Sequence, residues 1–419
     1  MREAKLTAAT SADMQIAPVP RISIQAFCET QATASAINRA AMDRRMSKTH
    51  LKVNMGGAGA AMEAYRNSPT PNLIVLEGNG DKSLLLSQLD ELSEFCDPGT
   101  KVIIIGPFND IELYRELVSL GVSDYMHAPV DAIAFVASVS SAFAATKGKS
   151  LGKVIAVLGA KGGVGASTIA HNVAWGIASQ YASPVVLVDF DQAFGTSGLN
   201  FNQDPPMTLT DVLSLGERLD AAGLDKILFK CSEMLSLIAA PAVLDRTYDP
   251  DETAFDPLLE LLRESTPNIV LDLPHVWTGW LKSLVLGADE IILVTAPDLA
   301  NLRNCKNILD IVRAARPNDA LPKIIINMVG APKRPEIDTK DFVNAIGIEH
   351  TATIVYDAKL FGTSANNGQM LAETDPSSKI NETISVIVKS VMSKAEPVKP
   401  EKKKFLAPLS ALFARAKGS

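Results

Sequence analysis

Residues 159–168 read Gly-Ala-Lys-Gly-Gly-Val-Gly-Ala-Ser-Thr, and the chemistry such a run can do is to grip phosphate. Its glycines let successive backbone N–H groups curl around anionic oxygens, and a helix starting directly behind adds positive potential. The candidate nucleotide contacts are Ala160, Lys161, Gly162, Gly163, Val164, Gly165, Ala166, Ser167 and Thr168. The Ser167 hydroxyl is the expected ligand of a Mg²⁺ ion carried with the phosphates. One residue breaks the pattern. The position before Ser167, where a lysine normally reaches the β- and γ-phosphates, holds Ala166, and the only lysine of the loop is Lys161 at its start.

Carboxylates at the ends of two apolar runs support the loop. Val185–Val188 leads into Asp189 and Asp191, and Ile269–Leu271 into Asp272. In an open α/β sheet ligands gather at the carboxyl ends of the strands, where such groups hold Mg²⁺ directly or through water and orient an attacking water. Any one of the three, alone, is most often a helix cap or a solvated strand end. Together, behind this loop, Ser167, Asp189, Asp191 and Asp272 form a candidate metal site.

The elements that must position these groups are legible in the apolar pattern. An apolar run, Val154–Leu158, precedes the loop, and an amphipathic run starts at Ile169. Further strand candidates are Val185–Val188, Leu235–Ile238, Ile269–Leu273, Ile291–Thr295, Ile324–Asn327 and Thr353–Val355, so residues 153–392 read as a P-loop α/β domain with a mostly parallel sheet. Upstream, residues 21–145 carry strand candidates Ile22–Phe27, Leu51–Val53, Leu73–Leu76, Val102–Ile105 and Asp124–Met126. Helix candidates such as Thr33–Arg45 and Ile111–Leu120 lie between them, and five such units suggest a flavodoxin-like domain. Residues 146–152 read as a linker, residues 1–20 as a disordered N-terminus and residues 393–419 as a separate tail.

Composition narrows the classes. The chain has 419 residues and a net charge of −7, which gives no general reason for nucleic-acid binding. Its four cysteines form no CxxC pair and fit free thiols in a reducing cytosol. The N-terminus lacks the pattern of a signal peptide, and no apolar run approaches membrane-spanning length. Among the histidines, His127, His171 and His275 lie nearest the motifs, none with a second histidine or cysteine at metal spacing. His171 reads as a packed or capping residue. His275, three residues beyond Asp272, is placed to lie near a γ-phosphate. Trp277 and Trp280, in the same loop, fit core packing and a nucleotide-responsive interface equally well.

Lys161-Gly-Gly-Val-Gly165 resembles the deviant Walker A motif of the MinD/ParA ATPases. The resemblance implies ATP and Mg²⁺ as cofactors and a homodimer in which Lys161 reaches the partner's phosphates. It further implies that Asp191 positions the hydrolytic water, that Asp272 is the switch II or Walker B aspartate, and that Asn327 meets the adenine edge. A narrower similarity, to the CpaE/TadZ branch of pilus assembly proteins, rests on the alanine in KGGVGAST, on Val294-Thr-Ala-Pro-Asp-Leu-Ala-Asn-Leu-Arg-Asn304 and on Asp357–Gly368. That branch implies a cytoplasmic, polar factor, peripheral at the inner membrane, that helps assemble the Flp-type (type IVb) pilus machine. Its implied partners are the pilus secretion ATPase and the inner membrane platform proteins. With the lysine replaced by Ala166, one positive charge is missing where charge develops in phosphoryl transfer, so hydrolysis is expected to be weak or absent.

Residues 21–145 resemble a response-regulator receiver, with the phosphoacceptor position held by Glu77 and the receiver lysine position by Ala128. This argues for a docking or dimerisation module, with Glu77 read as a solvated loop carboxylate. In the tail, residues 394–417 carry seven Lys/Arg against two Glu, and Phe405, Leu406, Leu409, Leu412 and Phe413 fall at helical spacing. Such a basic amphipathic segment suits an anionic membrane surface or a partner groove. Two rival functions stay open: a ParA-like DNA-segregation ATPase, disfavoured by the charge, and a nucleotide-free polar scaffold.

Overall fold

The alternation of apolar strands and helices resolves into two parallel sheets. The computed structural model describes residues 16–66, 68–78, 80–144, 151–241, 243–244 and 249–392. In the first unit the strands are β1 (Ser23–Cys28), β2 (His50–Met55), β3 (Leu73–Glu77), β4 (Lys101–Gly106) and β5 (Asp124–His127). They lie in the order β2-β1-β3-β4-β5, all parallel. The central strand β3 is buried along its whole length, as an apolar run without alternation requires of a sheet covered on both faces. Ordered packing begins before Arg21: Ile16 and Val19 are buried in the first core, and the Val19 N–H donates to Arg45 O at 2.8 Å. Residues 1–15 and 393–419, which include the tail, lie outside the described residues.

The second unit comprises β6 (Lys153–Gly159), β7 (Val185–Asp189), β8 (Phe229–Lys230), β9 (Leu235–Ile238), β10 (Asn268–Asp272), β11 (Glu290–Thr295), β12 (Lys323–Val329) and β13 (Ala352–Val355). Their order is β13-β12-β11-β6-β10-β7-β9-β8, parallel except for β8 against β9. The chain leaves β6 in one direction and returns past it in the other, so a crevice opens at the carboxyl end of β6. Apolar cores cover both faces. The short helices Leu209–Leu215 and Ala221–Ile227 and the two-residue β8 have too few apolar repeats to be read from sequence. Gly152, read as linker, is packed: a Cβ there would lie 1.9 Å from Thr266 O.

The two units are joined by guanidinium groups. After the first helix of the chain, Gln31–Ala41, a short turn presents Arg44 and Arg45 to Asp319. Its carboxylate accepts from Arg44 Nε at 2.5 Å, from Arg316 Nε at 2.8 Å and from Arg45 Nη2. Burial acts to raise the Asp319 carboxyl, but Arg44 first, then Arg316 and Arg45, hold it below the usual carboxylate range. Arg44 and Arg316, joined by Arg263, also close the end of the helix Gly279–Gly287. Arg44 Nη1 donates to Gly287 O at 3.3 Å, Arg263 Nη2 to the same oxygen at 3.5 Å and Arg316 Nη1 to Val285 O at 3.3 Å. Cations there complement the negative end of the helix dipole. All four cysteines are free, and burial pushes the Cys28 and Cys231 thiols up to about 11. Among the described residues no helix is long and apolar enough to cross a membrane.

Candidate nucleotide site

The glycine loop lies at the carboxyl end of β6 and leads into a helix. Gly163 has φ +78° and Gly165, which caps the helix Ala166–Tyr181, has φ +86°. Side chains with a Cβ rarely enter this left-handed region, so both positions need glycine. Residues 161–163 are exposed, and no heavy atom lies within 4 Å of a Cβ built on Gly163. The loop is therefore open to solvent at its glycines, as a backbone anion cradle must be.

Three side chains from later elements brace it by its carbonyls. His275 Nδ1 donates to Gly159 O at 3.1 Å, Asn304 Nδ2 to Ala160 O at 2.9 Å and Asn327 Nδ2 to Val164 O at 2.8 Å. Asn327, expected at an adenine edge, is 3% exposed, and its amide nitrogen is committed to the loop. Lys161 reaches the segment after β11. Its side chain is half exposed and Nζ lies 4.0 Å from Asp298 Oδ2.

Beneath the loop the acidic strand ends converge. Asp189 and Asp272 are register partners on β7 and β10, and both are buried. Asp189 Oδ1 accepts from Asp191 N and its Oδ2 from Ser197 N, each at 3.1 Å. Between the carboxylates stands His171, 1% exposed, on the loop helix. Its Nδ1 accepts from Asn200 Nδ2 at 3.0 Å, and its Nε2 lies 3.2 Å from Asp272 Oδ2. One ligand atom from each of His171, Asp189 and Asp272 falls within 4.8 Å of the others. Burial first, and the Asp272 charge second, push the Asp189 carboxyl up to about 6, against the opposing pull of His171 and the Ser197 donors. Asp272 Oδ1 has no hydrogen-bond partner among the described residues. Two buried carboxylates side by side, one with an unpartnered oxygen, fit a divalent cation, which supplies compensating charge.

Asp191 is not part of this cluster. It is half-buried, and its Oδ1 accepts from Phe194 N at 3.0 Å. Trp280 is core, against Phe190 and Phe255, while Trp277 is 44% exposed. His171 was expected only to pack or cap, and Asn304 had no expected role. His171 follows Ser167 by four residues, a spacing that puts both on one face of a helix and signals its place below the loop.

A family model described as an AAA domain, AAA_31, matches residues 152–322. The septum site-determining protein MinD of Synechocystis sp. is 27% identical over 235 residues, which span 53% of this chain and 82% of that protein. The crystal structure of a pilus assembly protein CpaE from Caulobacter crescentus shares 45% identity. The match covers 30% of this chain and 95% of that one, with a TM-score of 0.29. A ParA family ATPase from Chlorobium tepidum superposes with a TM-score of 0.52 at 24% identity, covering 56% of this chain and 98% of that one. This last likeness concerns the fold alone.

Proposed function

Because the chain belongs to the MinD/ParA superfamily and is CpaE-like, we propose that it is an ATP-binding localisation and assembly factor for Flp-type pilus machinery, gated by nucleotide through dimerisation. The observation that carries this reading is an open glycine loop whose helix brings His171 against two buried carboxylates, one of them with an unpartnered oxygen. ATP is the ligand proposed for the cradle, with Mg²⁺ between Ser167 and the strand-end carboxylates. Bound Mg²⁺ would neutralise phosphate charge. Asp189 and Asp272 would hold its shell, and Asp191 would orient a water. Asn327 keeps its proposed place beside the base through its remaining amide oxygen.

Three features support a switch rather than a fast enzyme. Ala166 leaves the position before Ser167 without an ammonium, so the charge that develops on phosphate lacks the cation usual at that place in the loop. Lys161 is half exposed, so it is accessible to a second copy. Phe194, Leu199, Trp277 and Leu299, which follow the ends of β7, β10 and β11, are 44–74% exposed, an apolar fringe around the cradle that a second copy would cover. The pilus role, polar placement and peripheral membrane location are proposed from the CpaE kinship.

The test is equilibrium binding of a fluorescent ATP analogue with Mg²⁺, paired with light scattering. Saturable binding and a nucleotide-dependent dimer are expected. Folded protein that binds no analogue at millimolar concentration overturns the reading in favour of a nucleotide-free scaffold.

A further inference from the structure

We propose that His275 is a phosphate-contacting residue, an imidazole that supplies from the loop after β10 the donor that Ala166 cannot supply from the cradle. The proposal rests on the nucleotide reading above and names the group that completes it. Geometry selects this histidine. A carbonyl oxygen only accepts, so the contact of Nδ1 with Gly159 O at 3.1 Å puts the ring proton on Nδ1 and pins that edge to the end of β6. The opposite edge faces the cradle: Cδ2, bonded to Nε2, lies 3.8 Å from a Cβ built on Gly162. The ring therefore leans over the middle of the loop with one nitrogen held and the other free. His275 is exposed, so a ligand can reach it, in contrast with His171, which is buried with its nitrogens turned to Asn200 and Asp272.

The chemistry follows from the two nitrogens. In the imidazolium form both donate, so Nδ1 keeps Gly159 while Nε2 makes a charge-assisted hydrogen bond to a phosphate oxygen. The charged groups on the elements about it are Lys161 on the loop, Asp272 at the end of β10, Asp298 after β11 and Glu252, packed against Gly279. A triphosphate brings more negative charge to this position than a diphosphate. A phosphate oxygen only accepts, so with Nδ1 held by Gly159 the Nε2 contact requires a proton on each ring nitrogen, and binding of ATP is expected to take one up. The terminal phosphate becomes the feature that the site senses.

The test is calorimetry of the full chain with Mg·ATP and Mg·ADP at pH 7.5, in two buffers of different ionisation enthalpy. For the natural protein, proton uptake on binding ATP and less on binding ADP is expected. His275→Gln is expected to abolish the uptake and weaken ATP about tenfold, with ADP changed by less than about twofold. Thermal melts verify that the variant is folded. Unchanged ATP affinity and uptake in His275→Gln overturn the proposal and leave nucleotide binding intact. Equal losses for ATP and ADP also overturn it, because they mark His275 as a brace of the loop alone. If the natural protein binds neither nucleotide, both this proposal and the reading beneath it fall.

Discussion

Each unit ends a buried parallel strand in a carboxylate, and the two are treated oppositely. Glu77, at the end of β3, is 2% exposed and saturated. It accepts from Glu29 N at 2.7 Å, Thr30 N at 2.9 Å, Thr30 Oγ1 at 2.6 Å and Thr33 Oγ1 at 2.7 Å. Asp272, at the end of β10, has one oxygen beside His171 and the other without a partner among the described residues. The expectation that Glu77 is a solvated loop carboxylate is therefore corrected. It ties the first helix to the sheet, and its lone pairs are taken. A strand-end carboxylate is thus a structural tie when donors surround it and a candidate site when they are withheld, although the strand and its burial look alike in both.

Substitutions test this contrast. The largest effect is expected at a third carboxylate, Asp319, saturated by charge. Asp319→Ala leaves Arg44, Arg45 and Arg316 facing one another and should destabilise the junction by about 3–5 kcal/mol. In calorimetry the two units should then unfold in separate transitions; a single unchanged transition would show that the junction is not held by these pairs. Glu77→Gln replaces an acceptor-only group with an amide among four donors and should lower the stability of the first unit by about 2–3 kcal/mol in urea unfolding. If the variant is as stable as the natural protein, the saturation of Glu77 is not what holds the turn.

The pH dependences should have opposite signs. At Glu77 burial acts upward, but the donors from Thr30, Thr33 and Glu29 outweigh it and hold the pKa below the ordinary value. Its contribution is complete above the unfolded value of about 4.3 and is lost as pH falls through the lower folded value. Asp189 is raised, so the second unit should lose stability as pH rises from about 4, the unfolded value, to about 6. All three tryptophans, Trp175, Trp277 and Trp280, lie in the second unit, so tryptophan fluorescence isolates its unfolding from that of the first. The smallest change is expected at Asp272→Asn. Its stability without metal should move by less than about 1 kcal/mol, while the rise in Tm expected when Mg²⁺ is added to the natural protein should be absent in the variant. A large loss of metal-free stability would make Asp272 a tie like Glu77.

Much of this was readable in the residues, for physical reasons. Strands buried on both faces are continuous apolar runs, so β3, β4, β6, β7, β10 and β11 announce themselves, and the glycine loop follows from the conformations that its fold demands. What could not be read depends on pairing between distant segments. That β7 and β10 bring Asp189 opposite Asp272 is a fact of register. That Arg44 meets Asp319 is a fact of packing, and neither leaves a periodic signal. Donor counts belong to the same class, which is why Glu77 and Asp272 could not be told apart before the turns around them were placed.

The helix Gly279–Gly287 begins just after the loop that carries His275, and the far end of that helix is finished by Arg44, a residue some 240 positions earlier in the chain. The first unit is therefore part of the scaffolding behind the loop that carries His275. A fragment beginning at Lys153 would leave that helix terminus with two guanidinium groups instead of three, and Asp319 with one cation instead of three. Affinities measured on such a fragment would belong to a different molecule.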